Sequence, residues 1–349
     1  MKIVLFCKRA YSFSILFPIQ EFCKATGDEV LWYIDSEILE GFPHKNDTDY
    51  TTSIQDIYDF KSDAIFVPGN VVPHYLRGLK VQVFHGLAGE KKGHFRIRNY
   101  FDLYLTQGPY FTDRFQKLAK KHKDFSVVET GWSKLDALYG NQHLYDAEKQ
   151  KLLKDHKAKK IVLYAPTFSP SLTSAHVLYD QIDALAQNPD YLVLVKFHDL
   201  MLKETKEKYI VRSAQLDNLV VVQDPNILKY LLLSDLMISD TSSVVYEFLL
   251  LDKPVITFNS SSEHIHWPNL KEPELLQSTV SEVFLKDKGA SDRRWIIDNY
   301  HPYNDGLSAA RMVKAVKDVL SSRTVPECRK LSLMRRWKVN KKYGKVRID

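Results

Sequence analysis

Short, β-branched apolar runs recur along this chain with helix-like stretches between most of them, and that rhythm admits few folds. KIVLF (2–6), EVLWYI (29–34), DAIFVPG (63–69), KVQVFHG (80–86), DLYLTQG (102–108) and SVVETGW (126–132) read as strands, with helices expected over 109–120 and 133–139. A polar, Lys-rich segment over 140–160 breaks the series and is predicted to carry the crossing between two lobes. KIVLYAPTF (160–168), YLVLVKFH (191–198), NLVVVQ (218–223), DLMISD (235–240) and PVITFN (254–259) then restart it. Apolar runs of this length suit parallel sheets covered on both faces by helices. The chain therefore reads as α/β, with two Rossmann-like lobes of parallel sheet facing a central cleft. The first lobe is expected over 1–145 and the second over 146–322, with a basic tail over 323–349.

At 349 residues the chain has room for two ordinary domains, and a 44% hydrophobic content excludes global disorder. Cys7, Cys23 and Cys328 are far apart and form no CxxC pair, so neither a disulfide framework nor a metal site is expected. The opening MKIVLFCKRAYS has an apolar run of strand length, interrupted at Lys8 and Arg9, and is not read as a secretion signal. A soluble, cytoplasmic protein is the expectation. The net charge of +6 is local: the tail holds ten Lys or Arg against Glu327 and Asp349, leaving the rest of the chain at −2. Interleaved with Leu331, Leu333, Met334, Trp337 and Tyr343, this basic tail suits an anionic membrane surface. A solvated tail is the next reading and nucleic acid the last, so no nucleic-acid partner is expected.

Neither GxGxxG nor GxxxxGK[ST] occurs, which argues against ordinary NAD binding and P-loop chemistry. The densest candidate site is ISDTSSVVYEFLLLDKPVITF (238–258). A strand ending at Asp240 leads through Ser242 and Ser243 into a helix, whose first N–H groups favour an anion such as a diphosphate. Glu247, a carboxylate among apolar neighbours, would suit a ribose diol. Equally, Ser243 could be an ordinary N-cap and Glu247 a first-turn acid that offsets the helix dipole. In VFHGLAGEKKGH (83–94), His85 ends a strand beside glycines and suits a general base, with Lys91 and Lys92 as positive charge for phosphates. In KFHD (196–199), Lys196 and His198 point to one side of a strand end and can both donate to phosphate oxygens. YAPTF (164–168) brings Thr167 to the same edge of the sheet.

FHGLAGEK, GWSKLDAL, YAPTF, KFH, SDTSSVVYEF, DKPVITF and YNDGLSAAR resemble, in the same order, the motifs of the CDP-glycerol glycerophosphotransferase family, the teichoic-acid primases and polymerases. The resemblance covers roughly residues 80 to 315. It departs at Phe84, Leu87, Ser133, Lys134, Asp199 and Thr241, where the family usually has Trp, Thr, Pro, Arg, Pro and Tyr. It implies a GT-B fold with acceptor selection in the first lobe and the nucleotide donor in the second. It implies attack of an acceptor hydroxyl on the β-phosphate of a CDP-polyol, releasing CMP. No metal-binding cluster is apparent in the sequence, so no cofactor or metal is expected. On this pattern His85 matches the base and His198 a histidine near the diphosphate. Ser242 and Ser243 match the phosphate-binding pair, and Glu247 takes the place of a ribose-binding Asp. Lys196, Thr167 and Asp240 join the donor site, with Lys91 and Lys134 as further phosphate contacts. The acceptor would be a lipid-linked or glycan hydroxyl, and the protein would lie at the inner face of the cell membrane. A glycosyltransferase or nucleotide-sugar epimerase of the same fold, using a UDP- or CMP-sugar, is the alternative. A scaffold that has lost the reaction comes last, since His85, His198 and Glu247 are all present.

Overall fold

A computed structural model describes residues 1–87, 93–224, 226–261, 265–322, 325 and 328–347. The chain forms two compact units. The first holds Met1–Gly140 and Asn299–Asp349, the second Asn141–Asp298.

The first unit is built on a seven-stranded sheet in the order β3-β2-β1-β4-β5-β6-β7. Its strands are β1 (Lys2–Cys7), β2 (Glu29–Ile34), β3 (Tyr50–Thr51), β4 (Ala64–Val67), β5 (Leu79–Val83), β6 (Leu103–Thr106) and β7 (Ser126–Glu129). Every pairing is parallel. Residues of β4, β5 and β6 are all buried, as a sheet covered on both faces requires. The order reverses between β1 and β4, so the crevice at the carboxyl ends of these strands is where such a sheet takes ligands.

The second unit repeats the plan with six strands in the order β10-β9-β8-β11-β12-β13. They are β8 (Lys160–Tyr164), β9 (Tyr191–Val195), β10 (Leu219–Val221), β11 (Leu236–Ser239), β12 (Val255–Phe258) and β13 (Asn269–Leu270). All are parallel, and the order reverses between β8 and β11. One face of the sheet packs Val162, Tyr164, Val193 and Ile238 against Leu178, Ile182, Leu185 and Tyr209.

The expected division of the chain needs two corrections. The first unit ends at Gly140 rather than at residue 145, and residues 299–322, expected in the second lobe, belong to the first. Their attachment is polar and specific. The Asp136 carboxylate accepts from the backbone N–H groups of Ser308 (2.9 Å) and Ala309 (2.7 Å), satisfying donors at the start of the helix Ser308–Ser322. That helix packs against the helix Phe13–Ala25.

The tail is likewise part of the first unit rather than a separate solvated segment. Arg329 is buried and donates to Asp102 (2.5 Å), to the Asp124 carboxylate (2.8 Å) and to the carbonyl of Asn99 (2.6 Å). Leu331 and Val339, the latter on the helix Leu333–Tyr343, enter the core beside Phe6 and Tyr33. The outer side of the same helix leaves Leu333, Met334 and Trp337 exposed at 83%, 69% and 60%. Among the described residues, no helix is long and apolar enough to cross a membrane. The three cysteines are unpaired, and burial pushes the thiols of Cys7 and Cys23 up to about 12.

Candidate active site

Each unit gathers its chemistry-bearing residues where strands end. In the first unit, His85 follows β5 by two residues and is exposed. Its Nδ1 lies 3.0 Å from the carbonyl of Pro68, just past β4. A carbonyl can only accept, so Nδ1 carries the proton, and the lone pair of the neutral ring resides on Nε2. Tyr11, from the segment after β1, sets its ring 5.3 Å from the imidazole.

The backbone on either side of His85 is tied down as well. The Trp132 indole N–H donates to the carbonyl of Phe84 (2.7 Å), and the Gln107 amide donates to that of Gly86 (3.1 Å). Trp132 is itself fixed, because its backbone N–H donates to Nε2 of His301 (2.9 Å). Gly131 before it has φ +83°, and a Cβ there would stand 2.5 Å from Ser308 Oγ, so only glycine fits. Burial pushes His301 down to about 4, which keeps its ring neutral and able to accept that bond. Lys134 sets its ammonium over the Trp132 ring at 5.3 Å. Lys91 and Lys92 lie outside the described residues.

In the second unit the residues come from β8, β9 and β11, three neighbouring strands at the sheet's reversal. His198 sits three residues past β9, with its ring 4.5 Å from that of Phe168, which follows β8. The backbone N–H of Leu200 donates to His198 Nδ1 (3.1 Å). Nδ1 is therefore the acceptor, and the proton of the neutral ring is on Nε2. Burial holds this imidazole below its ordinary range, with Lys196 and Lys206 adding to the effect and Asp199 opposing it. Lys196 is buried, its ammonium donates to the carbonyl of Phe197 (3.1 Å), and burial lowers its pKa also.

The Asp240 carboxylate is engaged by neighbouring loops. It is buried, and one oxygen accepts from the N–H of Thr167 (2.9 Å). The other accepts from both the N–H and the hydroxyl of Ser174 (2.9 Å each). Burial raises its pKa against these bonds. Its side chain thus ties the loop bearing Thr167 to the turn bearing Ser242 and Ser243. Both serines are half-buried there. The helix that follows, Val244–Leu249, has six residues, so its dipole is slight beside the one expected from sequence. Ser243 is in the αR region without a side-chain cap bond, so the N-cap reading does not hold. Glu247 is buried in that helix.

Residues 78–264 match the model of the CDP-glycerol:poly(glycerophosphate) glycerophosphotransferases. The chain belongs to this family. It is 26% identical over 298 residues to the teichoic acid ribitol-phosphate polymerase TarL of Staphylococcus aureus, covering 73% of this chain and 51% of TarL. It is 25% identical over 333 residues to the teichoic acid glycerol-phosphate primase of Bacillus subtilis, covering 82% and 83% of the two chains. This family member thus spans about half the length of the S. aureus polymerases it matches. The structure of the wall teichoic acid polymerase TagF superposes with a TM-score of 0.65 at 16% identity, over 92% of this chain and 89% of that one. The S. aureus MnaA–UDP structure gives 0.68 at 15%, over 93% and 98%. The shared fold is GT-B, two α/β lobes of parallel sheet, as the resemblance implied.

Sequence reasoning passed over Gln82, Gln107 and Trp132, which surround His85. The signal was present in KVQVFHG, where a lone Gln interrupts a buried strand.

Proposed function

We propose that this family member transfers a polyol phosphate, glycerol phosphate or a close relative, from a CDP-linked donor to an acceptor hydroxyl and releases CMP. What carries the reading is the opposite hydrogen bonding of two motif histidines, one left as a base and the other as a donor. In the reaction the acceptor oxygen forms a bond to the β-phosphorus. The bond from that phosphorus to the bridging oxygen breaks, and CMP leaves with that oxygen. The acceptor's proton passes to Nε2 of His85. His198 donates its Nε2–H to the diphosphate, and Lys196, with the Ser242–Ser243 turn, adds positive charge and donors. Asp240 holds that turn and the Thr167 loop in register, and Glu247 meets the ribose. Lys134, and on the family pattern Lys91, which lies outside the described residues, would serve as further phosphate contacts. The teichoic acid relatives and the TagF structure soaked with CDPG support a donor of this class.

The acceptor is lipid-linked in this reading, and the outer side of the tail helix meets the anionic membrane that carries it. Leu333, Met334 and Trp337 would enter the interface, with Lys330, Lys338 and Lys341 near phosphate headgroups. The test is CMP release from CDP-glycerol and CDP-ribitol, with a UDP-sugar as control and lipid extract in anionic vesicles as acceptor. Release from one CDP-polyol is expected, reduced severalfold on vesicles by Trp337→Ser. Turnover of the UDP-sugar alone would replace this reading with the glycosyltransferase or epimerase one.

A further inference from the structure

Gln82 is, with Lys80, one of two polar residues in the buried strand β5, and it is 4% exposed. A buried amide is costly unless its donors are met. The Gln82 Nε2 lies within reach of the carbonyls of Val67 (3.1 Å), Gly69 (3.1 Å) and Val83 (2.9 Å), with that of Pro68 at 3.5 Å. The chain leaving β4 therefore curls around this one amide, which shares its two hydrogens among several acceptors. Pro68 sits at the centre of the curl, and its carbonyl accepts from His85 Nδ1. Removing the amide would release the segment that sets the tautomer of His85.

Trp132 acts on the same histidine from the other side. It is 1% exposed, and its indole N–H holds the carbonyl of Phe84 at 2.7 Å, one residue before His85. Gln82 thus binds the segment whose Pro68 carbonyl meets Nδ1, and Trp132 binds the backbone that carries the ring.

We infer that Gln82 and Trp132 are positioning residues that keep His85 in the Nδ1–H tautomer, with its Nε2 aimed for proton transfer. This rests on the reading of His85 as the base, but it predicts an observable that does not depend on turnover. Support from neighbouring hydrogen bonds of this kind orients functional imidazoles generally, and small misplacements of a base cost rate rather than binding.

The experiment pairs ¹⁵N NMR of the histidine rings with steady-state kinetics in the full chain. The variants are Gln82→Met, which keeps length and loses the amide, and Trp132→Phe, which keeps an aromatic ring and loses the N–H. Wild type should show His85 as the Nδ1–H tautomer. Gln82→Met should show a mixture of tautomers, with kcat reduced about 10- to 100-fold and donor KM within about twofold. Trp132→Phe should lower kcat about tenfold by the same split, and it carries the test if Gln82→Met does not fold. An unchanged tautomer in Gln82→Met together with unchanged kcat in Trp132→Phe would overturn the inference. A mixed tautomer with undiminished turnover would uphold the positioning and remove His85 as the base.

Discussion

The two units solve the same folding problem and leave their histidines in opposite states. Each is a parallel sheet whose strand order reverses once, and each carries a histidine just past a strand end near that reversal. In the first unit the ring meets a carbonyl, in the second a backbone N–H. A single partner atom at Nδ1 therefore decides whether Nε2 accepts a proton or donates one. The difference is backbone placement: a proline carbonyl reached from the next strand against an N–H two residues along the same loop. The same side chain, past strands on opposite sides of the reversal in two similar sheets, thus meets a different partner from its turn.

Alanine at each position should break this comparison most visibly. His85→Ala should lower kcat by about 10²- to 10⁴-fold and leave donor affinity unchanged, because the proposed base acts only on the acceptor's proton. His198→Ala should weaken donor binding as well as turnover, because in the proposed reaction its N–H meets a diphosphate already present in the ground state. Isothermal titration with a CDP-polyol separates the two cases, and equal losses of affinity would remove the distinction.

A smaller effect concerns stability in acid. His94 and His301, both in the first unit, are pushed down to about 4 by burial. In the unfolded chain they take protons near 6.5, so between about 6.5 and 4 the unfolded state binds more protons. Stability is then lost as pH falls through that window, by up to about 1.4 kcal/mol per pH unit for each group. Urea unfolding of wild type and His301→Gln at several pH values checks this, the variant showing the shallower slope. Parallel slopes would contradict it.

Much of this was legible from sequence, and the reasons for the remainder are physical. Eleven strands announced themselves as β-branched apolar runs, while β3 and β13, two residues each, are too short to leave a pattern. The motif residues were legible because strand ends carry ligand chemistry in such sheets. Composition alone could not show that Arg329 would find Asp102 and Asp124, so the tail read as a separate basic segment suited to a membrane surface. Nor could it show that Asp136 would hold the start of a helix more than 170 residues away and return the chain to the first unit. Nor could it show that the Asp240 carboxylate would accept from Thr167 and Ser174, which are distant in sequence.

The most direct test of the account exchanges each histidine for glutamine, whose amide can donate as an Nε2–H does but cannot take up a proton at neutral pH. CMP release is measured under saturating donor. His198→Gln should retain turnover within about tenfold of wild type, while His85→Gln should fall 10²- to 10⁴-fold, to the level of alanine. Equal loss in both variants, or survival of His85→Gln, would contradict the assignment of base and donor to the two units.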